Sequence, residues 1–192
     1  QRGSLWRHAD QKDANEVTVG ILGLGSLGAA CGDRLSLMGY RVIGWSRSPK
    51  FFDRIHAFHG DEGFETVLTT SDALVILLPL TPHTDGLMTA EIMRRMKPGS
   101  HLINVARGRL VDQAGLIEVL DAGPLSGATL DVFATEPLPE DDSLWAHSKV
   151  FITPHISSLS NAATAIPQML ENIKRMRAGE AVLNTVDPTA GY

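Results

Sequence analysis

The sequence predicts an α/β protein built on a doubly wound parallel sheet, and three observations carry that prediction. Strand-like and helix-like segments alternate from Val17 onward. One strand, Asp72 to Leu78, is a continuous apolar run, as expected where a parallel strand is buried on both faces. The stretch Thr18 to Gly28 joins an apolar strand to a helix through a Gly-x-Gly-x-x-Gly turn. The 192 residues, 43% hydrophobic and 20% charged, suffice for one domain with a substantial core.

That turn organises the chain. A strand over Val17 to Leu22 runs into Gly23, Gly25 and Gly28 and then into a helix from Leu27 to Met38. Gly23 makes the tight turn, Gly25 lets backbone approach a pyrophosphate, and Gly28 lets helix and strand pack closely. The helix N-terminus adds free N–H groups and the positive end of its dipole. The reading is therefore a dinucleotide site in a Rossmann-type NAD(P)-binding domain, preferred over a plain structural turn. Cys31, the only cysteine, has helical spacing with Leu27 and Leu35 and is read as core packing, not as a nucleophile.

Gln1 to Asn15, polar apart from Leu5 and Trp6, reads as a tail or the end of a connecting helix, so the domains are set at 1–16, 17–160 and 161–192. Gly39 stops the first helix, and Tyr40 to Trp45 is the second strand. About 20 residues after the glycines a dinucleotide site must meet the adenosine ribose, and an acid there favours the free 2′-hydroxyl of NAD. Here stand Ser46, Arg47 and Ser48, with Lys50 close behind. A guanidinium and two hydroxyls suit a 2′-phosphate, so NADP is the expected cofactor, with NAD possible. Phe51 to Thr70 reads as irregular, because Gly60 and Gly63 break any long helix, and His56 and His59 read as surface histidines.

The strand Asp72 to Leu78 ends in a stiff loop beginning Pro79-Leu80-Thr81-Pro82. A short helix over Ala90 to Met96, a turn at Pro98-Gly99 and a strand over His101 to Val105 follow, the last ending in Ala106-Arg107. Asp112 is expected to N-cap a helix to Ala122, which Gly123-Pro124 ends. Strands Gly127 to Leu130 and Val150 to Ile152 open into the loops carrying Glu136 and His155. The last element, Asn161 to Ala178, reads as a helix interrupted near Pro167.

Arg107, Glu136 and His155 thus lie past the carboxyl ends of strands, where open α/β sheets bind ligands. Singly, each is an ordinary surface residue. Together they suit reduction of a 2-keto acid: a guanidinium grips the carboxylate in a planar fork, and an imidazolium donates a proton to the developing alkoxide. A carboxylate beside an imidazole fixes its tautomer and favours its charged form.

The glycine motif, Asn104-Val105-Ala106-Arg107-Gly108, Leu130-Asp131-Val132-Phe133 with Glu136-Pro137, and Thr153-Pro154-His155 occur in that order. From Val17 on, the chain resembles the D-isomer-specific 2-hydroxyacid dehydrogenases. Trp45 to Ser48 and the ending Asp187 to Tyr192 are most similar to that family's NADPH-dependent glyoxylate/hydroxypyruvate reductases. The resemblance implies that Arg107 binds the substrate carboxylate, His155 is the general acid/base, Glu136 is its partner and Asp131 faces the nicotinamide carboxamide. The expected cofactor contacts also take in Ser26, Leu27, Leu78, Pro79, Val105, Ala106 and Ser157. It further implies a homodimer through this domain. The family's substrate domain is built mainly from a preceding segment that nothing here supplies, so it is expected to be largely absent. The start at Gln1 in place of Met agrees with a shortened chain, poorly active alone.

A net charge of −5 without a basic run argues against nucleic acid, and no run of about 18 apolar residues suggests a membrane span, so a soluble, cytoplasmic protein is expected. The seven histidines lack metal-ligand spacing, so no metal is expected. The competing reading is a nucleotide-sensing, corepressor-like interaction module of the same fold.

Overall fold

The computed structural model describes residues 11–158 and 160–186. Seven strands form one sheet: β1 (Thr18–Leu22), β2 (Arg41–Trp45), β3 (His56–Phe58), β4 (Ala73–Ile76), β5 (His101–Asn104), β6 (Gly127–Leu130) and β7 (Val150–Ile152). Every pairing is parallel, and the order is β3-β2-β1-β4-β5-β6-β7. Among the described residues five α-helices accompany them: α1 (Ser26–Leu37), α2 (Gly60–Thr70), α3 (Ala90–Arg94), α4 (Gln113–Ala122) and α5 (Ala162–Ala178). The doubly wound sheet expected from the alternation is therefore present. Leu5, Trp6 and the ending from Asp187 lie outside the described residues.

Parallel pairing requires crossover helices on the faces, and so buries the central strands on both sides. All five residues of β1 are buried. On one face Ile21, Leu24, Val42 and Ile55 form a cluster against which Cys31 and Leu35 pack. A larger cluster gathers Leu22, Leu74, Ile76 and Leu102 with Val67, Leu68, Leu116 and Leu120 from α2 and α4. Each fully buried Leu or Ile contributes roughly 1.5–3 kcal/mol. Leu27 does not join Cys31 and Leu35 in this packing: it is 63% exposed at the first turn of α1, beyond the reach of the sheet.

Two segments differ from the sequence-based expectation. Residues 51–70 are not irregular but hold β3 and α2. Gly60, at φ +67°, opens the helix instead of breaking it, and a Cβ on Gly63 would lie 2.9 Å from the Phe58 Cβ, so that glycine lets α2 approach β3. Phe64 and buried Val67 and Leu68 then follow at helical spacing. Likewise α5 runs without interruption through Pro167, its sixth residue. Proline there removes the one donor that would meet the Ala163 carbonyl, and the surrounding turn is exposed to water that can satisfy it. Asp112 occupies the N-cap of α4 as expected, but its side chain makes no capping hydrogen bond.

At the amino edge of the sheet, Asp72 joins β1, β4 and the turn before β5. Its carboxylate accepts from the Thr18 amide at 2.9 Å and from Lys97 Nζ at 2.8 Å, with Lys12 Nζ at 3.4 Å. Burial pushes this carboxyl up, but the bonds from Lys97, Thr18 and Lys12 outweigh it and bring it down to about 2. A depressed carboxyl contributes stability that is present above its unfolded value, near 3.9, and lost as pH falls through the folded value. Unfolding midpoints should therefore decline between about pH 4 and pH 2, and Asp72→Asn should be less stable at neutral pH with a shallower decline. Parallel pH profiles for the two proteins would show that Asp72 does not carry this linkage.

Candidate functional site

The strand order reverses between β1 and β4, where the loops leaving the two strands diverge and open a crevice. The glycine turn sits there. Gly23 donates from its amide to the Trp45 carbonyl at 2.9 Å, and Leu77 donates to the Leu22 carbonyl at 2.8 Å. At φ +103° Gly23 is in backbone space that favours glycine, and a Cβ on it would lie 2.6 Å from the Leu77 carbonyl oxygen. A Cβ on Gly28 would fall 1.8 Å from the Gly23 carbonyl oxygen, so α1 meets β1 at backbone contact. Gly25, the N-cap, faces open space, and Ser26 and Leu27 after it are exposed. The first-turn N–H groups of α1 thus point into a cradle with room for an anion.

Beyond β2, Ser46 is buried and its hydroxyl donates to the Ser48 carbonyl at 2.8 Å, which folds the turn and leaves Arg47 and Ser48 exposed. Residues 46–50 contain no carboxylate. Leu78 and Ala106, expected at the cofactor, are mostly buried members of the core. Pro79 and Val105 are half-buried, and the Pro79 carbonyl accepts from Thr84 Oγ1 at 2.6 Å.

The loops after β5, β6 and β7 bring the polar residues together in stages. Arg107 is exposed, and its guanidinium donates to the Ala106 carbonyl at 2.6 Å. Its loop is shaped by buried Asn104, which donates to the Arg107 carbonyl at 2.9 Å and accepts from the Ala106 amide at 3.1 Å. Gly108 seats that loop on the next one: a Cβ there would lie 1.9 Å from the Phe133 carbonyl carbon. In the β6 loop, Glu136 accepts from the Phe133 amide through Oε1 at 2.9 Å, and its Oε2 lies 2.6 Å from His155 Nδ1. The His155 hydrogen bond and the Phe133 amide hold the Glu136 carboxyl below its ordinary value. Glu136 and His155 are therefore in direct contact, and Arg107 stands on the adjoining loop.

Asp131 fixes this arrangement from beneath. It is 1% exposed, and its carboxylate accepts four hydrogen bonds: Thr153 Oγ1 at 2.5 Å, Ser157 Oγ at 2.5 Å, the Ile156 amide at 2.9 Å and the Ser157 amide at 3.0 Å. Burial raises its carboxyl, but the Ser157, Thr153 and backbone bonds overcome this and hold it far below the usual range. Four bonds fill the capacity of a carboxylate, so its oxygens serve the loop. They hold His155 at φ +54°, an uncommon conformation for a non-glycine residue, with its amide donating to the Asp131 carbonyl at 2.9 Å. Thr153, Asn104 and Gly108 have positioning roles that pattern reading missed. The hydroxyls two residues either side of His155 were the available signal for the Asp131 clamp.

The family model described as D-isomer specific 2-hydroxyacid dehydrogenase, NAD binding domain, matches residues 1–157. Glyoxylate/hydroxypyruvate reductase A of Serratia proteamaculans (strain 568) is 39% identical over 192 residues, which are 100% of this chain and 61% of that protein. A D-isomer specific 2-hydroxyacid dehydrogenase from Xanthobacter autotrophicus Py2, solved in complex with NADPH and MES, is 48% identical with a TM-score of 0.96, covering 100% of this chain and 79% of that one. An NADPH-dependent glyoxylate/hydroxypyruvate reductase from Sinorhizobium meliloti, in complex with NADP and sulfate, is 36% identical with a TM-score of 0.94, covering 100% of this chain and 62% of that one. The chain spans about 61% of the length of the Serratia relative.

The contact between the Arg107 and Glu136 loops is open to a direct test. Gly108→Ala forces the two loops apart and should cost about 1–3 kcal/mol, the usual effect of overpacking, read as a lower thermal midpoint. An unchanged midpoint would mean that the loops do not meet as described.

Proposed function

This chain belongs to the D-isomer specific 2-hydroxyacid dehydrogenase family through its NAD binding domain, and on that premise we propose that it binds NADP(H) and serves hydride transfer to a small 2-keto acid of the glyoxylate or hydroxypyruvate kind. The observation that carries the reading is the Glu136 to His155 contact of 2.6 Å on the same sheet edge as Arg107 and the glycine turn. The names of relatives described as NADPH-dependent or complexed with NADP support the same cofactor.

The residues fit a dinucleotide. The open space at Gly25 and the first-turn amides of α1 suit a pyrophosphate. Arg47 and Ser48, exposed and with no carboxylate among residues 46–50, suit a 2′-phosphate, while the buried Ser46 hydroxyl, expected there from the sequence, is committed to the Ser48 carbonyl and shapes the turn. The cofactor, when bound, supplies the hydride. Arg107 offers two parallel N–H groups to the substrate carboxylate. Glu136 takes the Nδ1 side of His155, which leaves Nε2 to donate a proton to the developing alkoxide. Glu136, whose carboxyl lies below its ordinary value, stays an acceptor for Nδ1 and so fixes the orientation of the ring. Asp131 does not touch the reacting atoms in this scheme: it keeps His155 in its turn. No helix among the described residues is long and apolar enough to cross a membrane. A homodimer in the cytoplasm completes the proposal, and exposed Trp145 and Phe151 support a shared apolar surface.

Arg47→Asp should weaken NADPH binding far more than NADH binding in paired titrations. Equal losses would remove Arg47 from the choice of cofactor. In a polypeptide of the relatives' full length carrying this domain, His155→Ala should lower turnover of glyoxylate by roughly 10²–10⁴ with cofactor affinity unchanged. Near-normal turnover would assign the proton to another group.

A further inference from the structure

We propose that Gln113 is a positioning residue for the Glu136 and His155 pair: its side chain ties the loop that carries Glu136 to the first turn of α4, and so sets where Glu136 meets the imidazole. The inference rests on the hydride-transfer reading above and adds a residue that acts through Glu136, without touching substrate or cofactor.

Residues 134–137 are exposed, and among the described residues no backbone-to-backbone hydrogen bond holds residues 133–137. A loop of this kind takes its shape from side chains. Glu136 Oε1 accepts from the Phe133 amide at 2.9 Å, which closes the loop on itself. Gln113 Oε1 accepts from the Ala134 amide at 2.7 Å, across 21 residues of sequence. Apart from the His155 contact itself, this is the hydrogen bond that fastens residues 133–137 to another element among the described residues. The Gly108 contact with Phe133 limits how closely the loop can approach, but supplies no donor or acceptor to hold it.

The anchor is a rigid one. Gln113 is half-buried and is the first residue of α4, whose Leu116, Val119 and Leu120 lie in the core. Its side-chain carbonyl is the acceptor that a backbone N–H requires, whereas a leucine of similar size would leave the Ala134 amide to water. The chain also reaches α4 directly from Arg107, through the short turn Gly108–Leu110. One helix end therefore fixes both the loop of the guanidinium and the loop of the carboxylate. That matters for proton and hydride transfer, where a displacement of about 1 Å can cost roughly a hundredfold in rate.

The test is a double-mutant cycle on glyoxylate reduction, in a polypeptide of the relatives' full length carrying this domain, with Gln113→Leu, Glu136→Ala and the two combined. Gln113→Leu should lower kcat about three- to tenfold, the worth of one uncharged hydrogen bond, and leave the KM for NADPH unchanged. In the Glu136→Ala background the same substitution should have almost no further effect, because its route to His155 is already gone. Equal factors with and without Glu136 would mean that Gln113 serves the fold at large and would overturn the proposal, as would an unchanged kcat. A second readout needs no turnover. The His155 and Phe133 bonds hold the Glu136 carboxyl below its ordinary value, against partial burial and the charge of Asp131. Followed by carbon-13 NMR in this chain, the Glu136 titration midpoint should move upward in Gln113→Leu, and an unmoved midpoint in the folded variant would overturn the coupling. If the unaltered longer polypeptide reduces no keto acid, the functional reading falls and the positioning role with it, whereas an active polypeptide with an additive cycle removes the role of Gln113 alone.

Discussion

A carboxylate sealed beneath the surface holds the carboxyl edge of this sheet in order. Asp131 directly follows β6 and has almost no exposure, and an unpaired charge in that position would cost several kcal/mol. It is tolerated because four donors from the β7 loop converge on it. The dependence runs both ways, since those donors converge only when His155 takes its left-handed turn. The buried charge thus stabilises an unfavourable backbone conformation, and that conformation presents the imidazole to Glu136. Preorganisation of this kind is what the proton transfer proposed for His155 requires, because the geometry is set before any ligand arrives.

A second constraint acts at the other end of the same edge. Backbone meets backbone where Gly28 contacts Gly23 and where Gly108 contacts Phe133. Neither contact leaves room for a methyl group. The first brings the amides of α1 toward the crevice between β1 and β4, and the second draws the Arg107 loop onto the Glu136 loop. The three parts of the site stand on separate loops, and the parallel sheet supplies the common frame that aligns them.

Charge placement follows a division of labour between the two edges. At the amino edge, Asp72 with Lys97 and Lys12 ties strands together and has a structural role. At the carboxyl edge, the cations Arg47, Lys50 and Arg107 are exposed on the loops that follow β2 and β5.

The sequence by itself determined the fold class and the identity of the polar residues at the strand ends. Both are written in local pattern: the period of the apolar residues, the spacing of three glycines, and the type of residue that follows each strand. Gly23, Gly25, Gly28, Arg107, Glu136 and His155 could be named on that basis. The segment 51–70 could not, because β3 has only three residues and is recognised by its pairing with β2, while Gly60 and Gly63 look like breaks until α2 is seen against Phe58. Pro167 misled for a related reason: whether a missing donor ends a helix depends on what surrounds the freed carbonyl. The Asp131 clamp, the left-handed His155 and the hydrogen bond from Lys50 to the Leu24 carbonyl were decided only in three dimensions. Each joins residues more than 20 positions apart or exists only because such a contact does, and local periodicity has no means of encoding that proximity.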